Sequence, residues 1–510
     1  MDSTRTSRAV AGIITSLLQY AVIILLQFMV APVVLHIAGQ EVLGAYSFLM
    51  QVVSWAVLTD LGFGIAIGRY LAQAVGIDDQ RQRFRNIFIT GRTFYLVTNL
   101  TFAGLILIIA WKVYSLMPMS YSVGKEAQWS LVLLAIWAAI RTPISLYNDA
   151  LTATQNLAAV NIIAAIGAAL RLLLSLGFVM LGAGLIGLML ANIIAEAVTF
   201  IVGYAWYRKL YPDGQFGWGI PDRSLFREML GFGMTFMISS IASRLSANTD
   251  SIIVGYLYGA SSISIYYLSQ VPGTLLYQLI WKLIDNSAPA LNELFARRAT
   301  SQMANAYLRL LRYSLLLVLP LAIGLLGFNR CAIEVWVGQA QYAGNLLTSA
   351  VAVFAVTQVI IHINGVMLIV YGDIRVMSAI FLCSGIVKVI MAFWLGRIIG
   401  LQGVMIANAI VDIPAFVYLN YRVWRLLGLS VRKVGLNVIL PALKSNVLTL
   451  LVLIVVLLKP PFATWPLFLL WSSIFALIWA LGTAIEGLLS AERDMIRSYV
   501  MRKLNWKTIG

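Results

Sequence analysis

Gly184-Leu-Ile-Gly187-Leu-Met-Leu-Ala191-Asn192-Ile-Ile-Ala-Glu196 recurs as Gly400-Leu-Gln-Gly403-Val-Met-Ile-Ala407-Asn408-Ala-Ile-Val-Asp412, an offset of 216 residues. Gly39 and Tyr46 recur as Gly259 and Tyr266 at an offset of 220. Two matches in one order at similar offsets mark an internal repeat. Each copy of the long motif opens an apolar span, and each Gly/Tyr copy sits at a hairpin between spans. Six spans separate the equivalents, so both halves keep one membrane orientation. The expected architecture is two parallel six-helix lobes, related by a pseudo-two-fold along the membrane normal.

The composition around the repeat agrees. Of 510 residues 61% are hydrophobic and 11% charged, and the mean hydropathy is +0.89; a soluble domain carries about 25% charge. Apolar runs of about 20 residues, enough to cross a bilayer, recur throughout. We place about 14 spans at 9–35, 43–72, 87–111, 129–155, 157–181, 185–207, 231–257, 264–294, 313–337, 346–371, 376–398, 402–424, 441–458 and 466–488. The expectation is an all-α polytopic membrane protein: an N-terminal lobe over 1–208, an inter-lobe loop over 209–230, a second lobe over 231–425, two extra spans within 441–488 and a basic tail over 489–510. The first run, Ala9 to Leu35, is too long for a signal-peptide core and is read as a retained span. The tail is read as a surface helix on anionic headgroups.

The net charge of +16 is spread unevenly. With the spans in this register, 24 basic residues fall on one side, including Arg81, Arg83, Arg85, Arg208, Lys209, Arg309 and Arg312, and five on the other: Lys112, Lys125, Arg330, Arg397 and Lys459. The positive-inside rule makes the rich side, with both termini, cytoplasmic. The positive charge is therefore a matter of topology, and no nucleic-acid partner is expected. Cys331 and Cys383 form neither a disulfide framework nor a metal pattern, His36 and His362 read as isolated, and no metal site is expected. The outer loops are short, with no nucleophile triad and no phosphate-cradling glycine loop, so an enzyme is not expected.

Seven cations remain inside the spans or at their ends. A charge at the bilayer centre costs about 2.5–3.5 kcal/mol, so it faces a polar interior and marks a pathway. Arg141, Ser145, Asn148 and Thr152 share a helical face in the fourth span. Ser240, Arg244, Asn248 and Ser251 do so in the seventh, and Gln278, Lys282 and Asp285 in the eighth. Arg171 and Lys388 are deep secondary cations; Arg69 and Arg92 lie close enough to span ends to snorkel. The embedded carboxylates are Asp250, Asp412 and Glu196, the last two equivalent in the repeat. The bland alternative is internal pairing, as Lys282 with Asp285 or Asp250 with Lys388.

A 6+6+2 arrangement resembles the oligosaccharide flippases of the multidrug/oligosaccharidyl-lipid/polysaccharide exporter superfamily. Asp60-Leu-Gly-Phe-Gly-Ile-Ala-Ile-Gly-Arg69-Tyr70 resembles the end of that family's second span, and Pro289-Ala-Leu-Asn-Glu-Leu-Phe-Ala-Arg297 the end of its eighth. The resemblance implies a Wzx-type protein of the bacterial inner membrane. Its cargo would be undecaprenyl-diphosphate-linked oligosaccharide, moved from the cytoplasmic to the outer leaflet for O-antigen or exopolysaccharide assembly by alternating access. Implied partners are the lipid-linked cargo, the bilayer and other polysaccharide-assembly membrane proteins.

Arginine suits a diphosphate because its planar fork binds phosphate oxygens bidentately. On this reading Arg141, Arg244 and Lys282 hold the diphosphate, with Asn148, Asn248 and Gln278 beside them. Asp250, Asp412 and Glu196 are candidates for coupling to a sodium ion or proton gradient; no other cofactor is expected. A multidrug exporter of the same superfamily is the nearest alternative, although the first span lacks any carboxylate. A peptidoglycan lipid-precursor flippase is another, although here the first span offers only Gln19 and Gln27. A membrane-embedded polymerase or glycosyltransferase is the alternative from a different class.

Overall fold

The computed structural model describes residue 24 and residues 28–55, 63–75, 81–154, 156–211, 219–247, 249–458, 464–488 and 492. Among these, ten helices are long and apolar enough to cross a membrane. Contacts divide the chain into two units, Met1–Tyr267 with Phe381–Arg397 and Leu268–Ile380 with Ile398–Gly510.

The first unit opens with α1 (Phe28–Ile37), α2 (Gln40–Ser54) and α3 (Phe63–Val75). Next come α4 (Arg81–Leu116), α5 (Tyr121–Ile140) and α6 (Thr142–Ala153), then α7 (Leu157–Met180), α8 (Gly184–Leu210), α9 (Arg223–Ala247) and α10 (Asp250–Tyr258). It takes the start of α11 (Ala260–Asp285) and part of α15 (Ile374–Ile399). The second unit holds the rest of those two, with α12 (Ala288–Ala296), α13 (Thr300–Val337), α14 (Asn345–Val370) and α16 (Leu401–Leu426). It ends with α17 (Val431–Leu458) and α18 (Trp465–Gly487).

The repeat is written into the backbone. Gly39 and Gly259 adopt φ of 92° and 82°, and Gly184 and Gly400 of 50° and 87°. Only glycine enters that region without strain, so the matched glycines turn the chain at matched points. Each precedes a helix on the next residue or opens it, as expected for residues that end one span and start the next.

Two expected spans are broken rather than continuous. The fourth stops at Arg141, whose backbone ends α5 and starts α6 with Pro143 in the first turn. Proline lacks the N–H that a continuing helix needs, but an opening turn does not need it. The seventh is divided between α9 and α10. Asn248 lies outside the described residues, as does Asp60. In length α4 and α13 run to 36 and 38 residues, about 54 and 57 Å at 1.5 Å per residue. Both exceed a hydrocarbon core of about 30 Å, so they extend beyond it, carrying Arg81, Arg83 and Arg85 at the start of one and Arg309 near the start of the other.

α9 is moored to the first unit by its entry. The Asp222 amide donates to Thr90 Oγ1 of α4 at 3.1 Å, and Asp222 Oδ1 accepts from the amides of Ser224 and Leu225 at 2.9 and 3.2 Å. This is an N-terminal cap. The Ser224 hydroxyl first, then these amides, hold the Asp222 carboxyl below the usual carboxylate range. Further along, Phe226 meets Phe94 at 5.7 Å between ring centroids, and Phe232 lies under the Arg69 guanidinium at 4.2 Å. Arg69 thus rests on an aromatic face.

Candidate functional site

The interior cations divide by what meets them. Arg141 Nη1 donates to Glu196 Oε1 at 2.7 Å, and its Nε and Nη2 donate to Asn99 Oδ1 at 3.3 and 3.1 Å. Trp137 Nε1 holds the other carboxylate oxygen, at 2.7 Å. Arg141 was expected to be open to cargo; its charge is instead met within the lobe, across α4, α5 and α8. The helix break explains this, because Arg141 projects from the joint toward the two helices that flank it.

Asn148 also points elsewhere than the stripe suggested. Its Oδ1 is buried without a hydrogen bond and fills space left by Gly203 of α8, where a Cβ would come within 1.8 Å of it. Thr152 is exposed.

Lys282 does not pair with Asp285. Asp285 Oδ1 lies 2.7 Å from His362 Nε2, and the His362 ring stacks on Trp281 at 4.5 Å with 13° between planes. His362, isolated in sequence, therefore joins α14 to α11. Its partner is 77 residues away, and no spacing rule links them. Lys282 is exposed on α11, and Arg244 is half-buried on α9. Neither forms an ion pair among the described residues. Gln278 is half-buried one turn before Lys282.

The embedded carboxylates are all engaged. Tyr266 donates to Asp250 Oδ2 at 2.6 Å, and Gln358 Nε2 donates to Asp412 Oδ2 at 2.6 Å. Asp412 and Lys388 are buried, 3% and 2% exposed. Arg92, expected to snorkel, is buried and donates to the Tyr147 hydroxyl at 3.1 Å. Arg171 borders a cavity of about 350 Å³ within the first unit.

Near the C-terminus one residue of the tail is described. Glu492 is buried and paired with Arg312, and it also accepts from the Tyr313 hydroxyl at 2.8 Å. Glu492 itself is therefore held inside the protein; the rest of the tail, expected on headgroups, lies outside the described residues.

Among the described residues the fold is all-helical, and solved membrane-protein structures share it. An inward-facing multidrug resistance MATE family transporter of the MOP superfamily has the same fold, with a TM-score of 0.66 at 16% identity over 81% of this chain and 99% of its own. So has a MOP superfamily transporter from Pyrococcus furiosus Vc1, described by a reversed polarity of its binding pocket, with a TM-score of 0.60 at 16% identity over 83% and 96%. Within that fold the chain belongs to the polysaccharide biosynthesis protein family, whose pattern matches residues 9–294. It is 23% identical over 209 residues to the teichuronic acid biosynthesis protein TuaB of Bacillus subtilis (strain 168). That alignment spans 39% of this chain and 41% of the relative.

Proposed function

We propose that the protein is a flippase that moves undecaprenyl-diphosphate-linked oligosaccharide from the cytoplasmic to the outer leaflet by alternating access. The observation that carries this reading is an imbalance of interior charge. The embedded carboxylates Glu196, Asp250, Asp285 and Asp412 each have a protein partner. Arg244 and Lys282 have no ion-pair partner among the described residues. An interior with spare cations suits an anionic headgroup and disfavours a cationic drug. The helices bearing these two, α9 and α11, are long enough to span but do not meet the apolarity of the ten clear spans; helices lining a watered passage have that character.

Membership of a polysaccharide biosynthesis family and a relative in teichuronic acid biosynthesis support a role in polymer assembly. In this reading Arg244 and Lys282 take the diphosphate, with Gln278 beside Lys282, and Arg141 braces the lobe. Coupling to a sodium ion or proton gradient is assigned to Asp250, Asp412 and Glu196, the carboxylates embedded in the helices. The membrane is the bacterial inner membrane, with other polysaccharide-assembly proteins as neighbours.

The test is to delete the protein and locate the lipid-linked oligosaccharide, then to complement with Arg244→Gln. Accumulation in the cytoplasmic leaflet, unrelieved by the variant at normal membrane level, is expected. Unpolymerised units already in the outer leaflet would mean a polymerase, and full complementation by the variant would remove Arg244 from the site.

A further inference from the structure

We propose that the cavity beside Arg171 is a binding site for a phosphate-class oxyanion, separate from the cations of α9 and α11. Helices α1, α2, α7, α10 and α11 line it within the first unit, and its volume of about 350 Å³ falls in the usual range of small-ligand pockets, roughly 300–1,000 Å³.

The case rests on unused donors. Arg171 Nε is buried with no hydrogen-bond partner. Across the same cavity the Ser251 hydroxyl is also buried and unpartnered, in a residue only 1% exposed. Buried polar groups are ordinarily satisfied, and charged ones almost always. Two orphans facing one void, one of them on a guanidinium, point to a ligand that accepts from both.

The rest of the lining agrees in sign. Tyr46 uses its hydroxyl oxygen to accept from Asn192 Nδ2 at 2.8 Å, which leaves its own proton to give. Gln51 uses Oε1 to accept from the Ser251 amide at 3.1 Å, which turns its amide NH₂ into the remaining function. Among the described residues no carboxylate lines the cavity; Asp250, next in sequence to Ser251, receives the Tyr266 hydroxyl. A guanidinium, two hydroxyls and an amide NH₂ form a donor set that matches a tetrahedral oxyanion.

Depth excludes the ordinary use of an arginine at a membrane. Arg171 lies 14 residues from the start of α7 and nine from its end, about 21 and 14 Å at 1.5 Å per residue. It is too deep to snorkel to a headgroup, and it has no ion pair among the described residues. The bound phosphate class could be the cargo's diphosphate or free inorganic phosphate. The site adds to the flippase reading and rests on it only for the first of these sources.

The test uses the full chain purified in detergent and titrated with inorganic pyrophosphate by calorimetry. Saturable binding is expected for wild type. It should weaken about tenfold or more in Arg171→Gln, because a charge-assisted fork is lost, and less in Ser251→Ala. Arg397→Gln, at the far end of α15, should bind as wild type does. Should Arg171→Gln not fold, Arg171→Lys decides: it keeps the charge without the fork, and weaker binding is expected. Mass spectrometry of co-purified lipid identifies the source. A polyprenyl diphosphate enriched on wild type and absent from the Arg171 variant means cargo, and pyrophosphate binding alone means free anion; both support the site. Equal binding by wild type and the Arg171 variants, or no binding of either anion by wild type, overturns it. The flippase reading fails separately, in the leaflet assay.

Discussion

Replacing Glu196 with glutamine would orphan the Arg141 charge while leaving the size and shape of the cluster intact. Removing one partner of a buried pair costs about 3–5 kcal/mol because the other charge stays buried. Here the Arg141 and Glu196 side chains are 23% and 33% exposed, so water can reach the orphan and the penalty falls to about 1–3 kcal/mol. The two hydrogen bonds to Asn99 remain, as does an acceptor for Trp137. Arg141→Gln should lose a similar amount. The double variant Arg141→Gln/Glu196→Gln leaves no charge to orphan and should recover about 1–2 kcal/mol relative to the sum of the singles. Detergent-titration unfolding of the purified protein reads these differences, and complementation of polysaccharide export reads function. A brace predicts that the double variant still exports. Additive losses in the cycle, or loss of export by a stable double variant, would refute the clamp and return Arg141 to the cargo path.

Two further outcomes follow from the Arg312–Glu492 pair and from the entry of α9. Arg312→Met should destabilise by about 3–5 kcal/mol, as should removal of the chain from Glu492 onward, because each orphans one member of a fully buried pair; Arg312→Met/Glu492→Leu should recover most of the loss in the same unfolding assay. At α9, the Asp222 carboxyl is held below the usual range by Ser224 and the Leu225 amide. A depressed folded pKa stabilises at neutral pH, and the gain disappears as pH falls through that depressed value. Hydrogen-exchange protection of the first turn of α9 should therefore drop in acid, and Asp222→Asn should remove most of that pH dependence.

How much was legible in the sequence depends on the range of the interaction. Membrane class and repeat glycines come from periodicity and offset, which are local or nearly so; the positive φ of Gly39, Gly184, Gly259 and Gly400 follows directly. Side-chain partners are long-range. Arg141 and Glu196 are 55 residues apart, Asp285 and His362 are 77, and Arg312 and Glu492 are 180. A single sequence gives no means of pairing residues so far apart. One signal was available: Trp137 stands four residues before Arg141 and so on its face, where an indole N–H suggests a nearby acceptor. The stripe Arg141, Ser145, Asn148 and Thr152 misled because it was placed on one continuous helix, whereas a second helix opens at Thr142 with Pro143 in its first turn.

The polar contacts extend the repeat beyond the glycines. In the first lobe Arg92 donates to Tyr147, which packs on Tyr204 at 4.8 Å, and Arg141 donates to Glu196. In the second Tyr307 donates to Asn364 at 2.8 Å, Asn364 to Asn420 at 3.1 Å, and Gln358 to Asp412. The equivalents lie 215 to 217 residues apart, near the offset of 216 between the long motifs. Each lobe thus uses the same three links among its third, fourth and sixth spans, with different chemistry in each. Groups kept for architecture recur in this way even when their charges change. Arg244 and Lys282 behave differently: at the offset of 220 they fall opposite Ile24 and Gly62, so no repeated link accounts for them. Charge without a structural counterpart is where the cargo should be sought.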